Sequence, residues 1–194
     1  KITEYVNGLF DMESNDIRGL NYTYNADGYI WKYLGVDKTT ARAASENDQN
    51  YIIYRLADVL LMKAEALIMQ GHNEDAADLI DRTRERAGLG ETTLSDDRMV
   101  MLETLLVERQ KEFFGEGKNW FDLLRIGLRS EQLNDTQYKT LFVEQALKAV
   151  GASRQSLGRA TLANSGSWYL PYSEDELSKN PLLEQSDYYQ SISN

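Results

Sequence analysis

The residues with the most chemical capacity lie between Leu106 and Arg125, in the run LVERQKEFFGEGKNWFDLLR. Glu108 and Glu112 are four positions apart, which puts both carboxylates on one face of a helix. Asp122 follows beyond a corner marked by Gly115 and Gly117. Together these acids could hold a metal. They could also serve as an acid–base pair, since glycoside hydrolases use two carboxylates about 5 to 9 Å apart and helix neighbours reach that range. The same run carries Arg109, Lys111 and Arg125 among Phe113, Trp120 and Phe121. Cations interleaved with carboxylates keep the acids ionised and engaged. The run is therefore read as a buried ion network that fixes geometry, with no catalytic residue, no metal and no cofactor assigned.

Further candidates lie outside this run. Arg55 and Asp58 are at i and i+3, and Glu65 follows on the same helix. They form either a ligand-facing charge cluster or a pairing network that orients a helix pair, and pairing is the preferred reading. Tyr22, Tyr24 and Tyr29 surround the turn Asn25-Ala-Asp-Gly28 and are the best local candidates for stacking on a sugar. Aromatic residues on loops also cap cores. Trp31, Trp120 and Trp168 are assigned to scaffold. His72 is the only histidine, so Ser-His-Asp chemistry would depend on it alone, and it is expected to be exposed.

The elements that position these groups follow from periodicity and punctuation. Residues 1–50 form an irregular lead-in. Alternating Tyr22, Tyr24, Tyr29, Trp31 and Tyr33 suggest short strands, and the run 45–50 is rich in turn residues. Residues 51–88 read as a helix pair. Leu56, Leu60, Ala64 and Leu67 form one stripe, Gly71 stops the first helix, and Asn73 caps the second. Ala76, Leu79, Ile80 and Thr83 make the facing stripe, and Gly88 closes it. The Gly71 turn and the small alanines resemble a tetratricopeptide repeat. Residues 95–127 read as a second pair, with caps at Ser95 to Asp97 and an end at Gly127. Another helix is expected at 137–150 and a loop at 152–167. A C-terminal tail at 168–194 has a capping box at Ser173-Glu-Asp-Glu176. One repeat cannot bury both its faces, so an exposed apolar patch is expected.

Composition sets outer limits. The chain has 194 residues, 42% of them hydrophobic, and a formal net charge of -10. No basic stripe exists to neutralise phosphates, so nucleic acid is not an expected partner. Uncharged polymers such as glycans remain open. There is no cysteine, which excludes disulfides, zinc–cysteine sites and cysteine nucleophiles.

Four blocks resemble the SusD/RagB family of outer-membrane glycan-binding lipoproteins, in that family's order. They are Asp16-Ile-Arg18 with Trp31-Lys-Tyr33; Arg55 to Ala66 with Ile80 to Leu89; Glu108 to Arg125; and Trp168-Tyr-Leu-Pro171 with Asn180 to Gln185 and Tyr188. Gln110 and Asn119 stand where the family favours basic residues. The resemblance implies a mainly α fold of tetratricopeptide-like helix pairs with a partly β lead-in, matching the family's C-terminal part as one domain over 1–194. It implies non-catalytic binding of oligosaccharides or polysaccharides at the outer-membrane surface and delivery to a SusC-type TonB-dependent porin. The expected anchor is a lipid on an absent N-terminal segment. The expected partners are a glycan, that porin and the missing N-terminal part of the same protein. A repeat-type protein-interaction module without glycan binding is the competing reading.

Overall fold

The computed structural model describes residues 4–11, 15–46 and 49–192. Asn47 and Asp48, within the turn-rich run expected at 45–50, lie outside the described residues. The helices are α1 (Glu4–Asp11), α2 (Trp31–Leu34), α3 (Leu56–Gln70), α4 (Asn73–Arg86), α5 (Arg98–Glu112), α6 (Asn119–Leu133), α7 (Thr136–Leu147), α8 (Ala152–Leu162), α9 (Glu174–Lys179) and α10 (Asp187–Ile192). The fold is mainly α, as expected. Among the described residues the lead-in holds only isolated bridges, Leu20 with Tyr24, Tyr24 with Ile30 and Gly35 with Ala41. The short strands expected there do not form.

Each corner has a local cause. Gly71 takes φ 82° after α3, and the amide of His72 reaches back to the carbonyl of Leu67 at 2.9 Å, which satisfies a carbonyl the helix end would leave open. Two residues then suffice to reverse the chain into α4, whose first turn carries Glu74 and Asp75 and whose last carries Arg84 and Arg86. Asp97 caps α5 by accepting the amide of Met99 at 2.7 Å. Gly115 and Gly117 take φ 80° and 72° at the corner into α6. That helix runs through Gly127 and stops at Asn134, left-handed at φ 51°. A single glycine inside a helix costs only about 1 kcal/mol, so Gly127 is no stop.

α3 packs on α4 and α5, α4 on α5, and α5 on α6 and α1. The core holds Leu61, Ala64 and Ile68 of α3, Ala76 and Ile80 of α4, Met101, Leu102, Leu105 and Leu106 of α5, and Leu123 and Ile126 of α6. The face of α3 differs from the expected stripe. Leu56 is 68% exposed, while Asp58 and Glu65 are buried beside Leu61, Ala64 and Ile68. The inward face of α3 is thus partly ionic, which a hydrophobic count cannot detect. In the lead-in, the rings of Phe10, Tyr24 and Phe114 stand 5.8 to 6.3 Å apart in a cluster. Trp31 is buried and donates its indole N–H to the carbonyl of Asp37 at 2.7 Å.

The chain divides into two compact units, 1–141 and 142–194, with the division inside α7. The second unit has its own small core, where Phe142 and Trp168 rings lie 4.4 Å apart and Trp168 donates to the carbonyl of Leu162 at 2.9 Å. α8 replaces much of the loop expected at 152–167. It has no buried residue, so no apolar spacing marked it. Ser173 caps α9 as the capping box required. Leu182 in the tail is 92% exposed.

Candidate functional site

Residues 108 to 112 at the end of α5 are all charged or polar and all between 1% and 9% exposed. Consecutive residues point about 100° apart on a helix, so this last turn has no solvent side. Each direction meets a different segment. Gln110 accepts the Tyr5 hydroxyl of α1 at 2.5 Å. The Gln110 amide oxygen thus has a matched donor.

Glu108 and Glu112 point toward the lead-in and α4. Glu108 accepts from Arg18 at 2.6 Å and from the Thr83 hydroxyl at 2.8 Å. Glu112 accepts from Arg18 at 3.1 Å, from Arg55 at 2.5 Å and from Arg86. Glu116, in the corner, takes Arg55 at 2.9 Å and Lys32 at 2.7 Å. Asp16 fixes Arg18 through a fork at 2.9 Å on both Nε and Nη2, and Lys111 lies 3.4 Å from the same carboxylate. This node joins α5 to the lead-in, to α4 and to the extended segment before α3.

Arg109 points the other way, toward α3 and α6. Its Nε and Nη2 donate to Asp122 at 2.8 Å, and Nη2 also donates to Asp58 at 2.9 Å. Lys118 completes Asp58 at 2.5 Å. Further along the same helices, Glu65 accepts from Arg125 at 2.7 Å and Arg129 at 2.8 Å. Phe113 joins the two nodes, because the guanidinium carbons of Arg55 and Arg109 lie 4.7 and 4.8 Å from its ring centroid.

Burial alone would raise these carboxyls, but the cations outweigh it. Arg55, with Arg86 and Arg18 behind it, holds Glu112 below its ordinary range. Lys118 and Arg109 do the same for Asp58, Arg125 and Arg129 for Glu65, and Arg18 and Lys111 for Asp16. Burial pushes the Lys32 ammonium down despite Glu116. A glycosidase needs one carboxylic acid held protonated near neutral pH. Glu112 is pushed in the opposite direction, and it and Glu108 are buried among their cations. Among the described residues, no three His, Asp or Glu side chains are grouped to hold a metal. The arrangement can lock segments together.

The expected network residues Arg55, Asp58, Glu65, Glu108, Arg109, Glu112, Asp122 and Arg125 are therefore brought together, although in two nodes. Spacing on one helix missed Asp16, Arg18, Lys32 and Arg86, which come from distant segments, and Glu116, which lies in the corner just beyond α5; the Asp-Ile-Arg run is the only local signal for two of them. Trp120 and Phe121 do not belong to the core. They are 40% and 66% exposed, since they open α6 on its outer side.

The tyrosine triad is split. Tyr24 is 4% exposed and packed on Phe10 and Phe114, so it has no free face for a sugar. Tyr22 is exposed but has the Lys38 ammonium 4.6 Å above its ring. Tyr29 is exposed and lines a cavity of about 770 Å3 with Asn7, Asp11, Asn25 and Asp27. Asn25 holds the turn by accepting the amide of Tyr29 at 2.9 Å.

The family model described as the SusD family matches residues 4–189. Among curated relatives, the SusD-like protein P25 of Formosa agariphila is 29% identical over 171 residues, covering 87% of this chain and 28% of its own length. The SusD-like protein P38 of the same organism is 37% identical over 89 residues, covering 42% of this chain and 18% of its own. A solved SusD superfamily protein from Bacteroides fragilis is similar at 30% identity and TM-score 0.54, over 71% of this chain and 28% of that one. Another from Bacteroides thetaiotaomicron reaches 26% identity and TM-score 0.50, over 72% and 26%. The chain thus spans less than a third of the length of these relatives.

Proposed function

This chain belongs to the SusD family, and from that premise we propose that it takes part in non-catalytic binding of oligosaccharides or polysaccharides at the cell surface. The receiving partner is a SusC-type TonB-dependent porin in the outer membrane. The chain has no cysteine, so the lipid that anchors the protein is attached outside it. No described helix is long and apolar enough to cross a membrane.

The observation that carries this reading is the Tyr29 cavity. An exposed tyrosine ring offers a stacking face for the C–H side of a pyranose, and Asn7, Asp11, Asn25 and Asp27 offer partners for its hydroxyls. The carboxylates of the ion network support a binding role without hydrolysis, because cations occupy them.

The test is affinity electrophoresis of the full-length parent in gels of neutral polysaccharides, with Tyr29→Ala beside it. Retardation by at least one polysaccharide, weakened about tenfold in the variant, is expected, the size of one lost stacking contact of about 1.4 kcal/mol. No reducing ends should be released. Release above a boiled control, or no retardation by any polysaccharide, overturns the proposal.

A further inference from the structure

A second cavity, of about 400 Å3, opens where the lead-in meets α4 and α5. Its walls combine segments far apart in the chain. Arg18 and Lys32 come from the lead-in, Arg55 from just before α3, Arg86 from the end of α4 and Lys111 from α5. Against these five cations the lining presents two carboxylates, Glu112 and Glu116. Asp16 and Glu108 pair with Arg18 from outside the lining, which brings the balance to five cations against four carboxylates. The local surplus is positive, although the chain carries a net charge of -10.

Exposure sorts the two signs. The side chains of Arg18, Lys32, Arg55 and Arg86 keep 12%, 22%, 25% and 60% of their surface open, whereas the four carboxylates keep 0 to 2%. The nearest charges dominate the local potential, because Coulomb energy falls with distance and salt screens it further. A group entering from solvent therefore meets the cations first. Every nitrogen of Arg18 and Arg55 is already bonded. Arg86 and Lys32 keep donors in reserve. Among the described residues Arg86 makes one ion pair, through Nη2 to Glu112, which leaves Nε and Nη1. The Lys32 ammonium donates to the Glu112 carbonyl at 3.1 Å and to Glu116 at 2.7 Å, which leaves one of its three protons. Burial pushes this ammonium down, and Arg55 adds to the push despite Glu116. The counter-charge in place does not offset the desolvation.

We propose that this cavity binds one compact oxyanion, a sulfate, phosphate or carboxylate group, between Arg86 and Lys32. Charge-assisted bonds from a guanidinium and an ammonium suit that chemistry, and a neutral hydroxyl gains nothing from the surplus charge. The anion ties the lead-in to the end of α4. The inference does not rest on the glycan-binding reading, and the lining shares no residue with the Tyr29 cavity.

The test is an amide-resolved NMR titration of the full chain with sodium sulfate and with sodium phosphate. Sodium chloride at matched ionic strength is the reference for general salt effects. The variants are Arg86→Gln, Lys32→Gln and, as a control outside the cavity, Arg154→Gln; circular dichroism checks that the helices persist. The expected result is saturating shifts centred on Thr23, Lys32 and Ala87 with sulfate and phosphate, and none with chloride. Affinity should fall about tenfold or more in Arg86→Gln and in Lys32→Gln, the scale of one lost charge-assisted contact, and stay unchanged in Arg154→Gln. A sulfated galactose and galactose itself identify the source. Tighter binding of the sulfated sugar than of free sulfate assigns the oxyanion to a saccharide, and equal or weaker binding assigns it to the free ion. Shifts that rise without saturating, or saturable binding that survives both Arg86→Gln and Lys32→Gln, overturn the inference. Galactose bound at this cavity as tightly as its sulfate ester overturns it as well. Should Lys32→Gln fail to fold, the shift map of the unmodified chain and Arg86→Gln decide the case. None of these outcomes alters the standing of the Tyr29 site.

Discussion

Asp58 of α3 and Arg109 of α5 are 51 residues apart in the chain and joined at 2.9 Å with almost no solvent around either. Two charges in such a place are costly to desolvate and costly again to separate. A buried pair of this kind does not itself prove high stability, but breaking it from one side leaves an uncompensated charge.

Asp58→Ala should therefore destabilise the protein by about 3 to 5 kcal/mol, the range for removing one partner of a buried pair. It strips counter-charge from both Arg109 and Lys118. Urea unfolding followed by circular dichroism measures this. A loss below about 1 kcal/mol, the scale of an exposed pair, would show that water reaches the node.

The neighbouring aromatics should separate sharply. Phe113 is 4% exposed and carries two guanidinium contacts, so Phe113→Ala should cost about 3 to 5 kcal/mol, as for large aromatics in cores. Trp120, at 40% exposed, should cost clearly less when replaced by alanine. The same unfolding measurement ranks the two, and an equal loss would mean that Trp120 is covered in solution.

Acid should loosen the network in a defined direction. The carboxyls of Glu112, Glu65, Asp58 and Asp16 are held below their ordinary values of 4.5 and 3.8. Below those values the unfolded chain binds protons that the folded chain still refuses, so stability falls as pH falls. The stabilisation is complete above about pH 5, where unfolded carboxyls are ionised. It is lost progressively through and below pH 4. Glu65→Gln should flatten this slope relative to the unmodified protein in thermal melts across pH 2.5 to 6, an interval chosen to span ordinary carboxyl values of about 4.

The corner before α6 should tolerate no side chain. Gly115 has φ 80°, and an added Cβ would lie 2.7 Å from Ile30 Cγ2. Gly115→Ala should cost at least the roughly 1 to 2 kcal/mol of a left-handed L-residue. Gly90, where a Cβ meets nothing within 4 Å, provides the control. Equal melting temperatures for the two alanine variants would contradict this.

Much of the first unit could be read in the sequence because punctuation is strong there. Gly71, Gly88, Gly115 and Gly117 mark turns that the structure makes with positive φ, and Asp97 caps where an acid stood before an apolar run. Three things were not legible, each for a physical reason. The inward side of α3 could not be found from apolar spacing, because Asp58 and Glu65 lie on it while Leu56 faces out. α8 has no buried side and hence no period. The aromatic triad could be counted but not oriented: whether Tyr24 turns inward depends on Phe10 and Phe114, residues with no local relation to it. The site shows the same limit. Charges on α5 were visible as a cluster, but Arg18 and Lys32 arrive from 90 and 84 residues away.

Those last separations have a consequence for biogenesis. Residues 15–34 leave the ribosome long before α5 does, yet the carboxylates that neutralise Arg18 and Lys32 are on and just beyond α5. Synthesis delivers residues 15–34 before α5, so the pairing of Arg18 and Lys32 must wait until residue 116 has been made. A nascent chain halted before that point should therefore leave residues 15–34 open to protease.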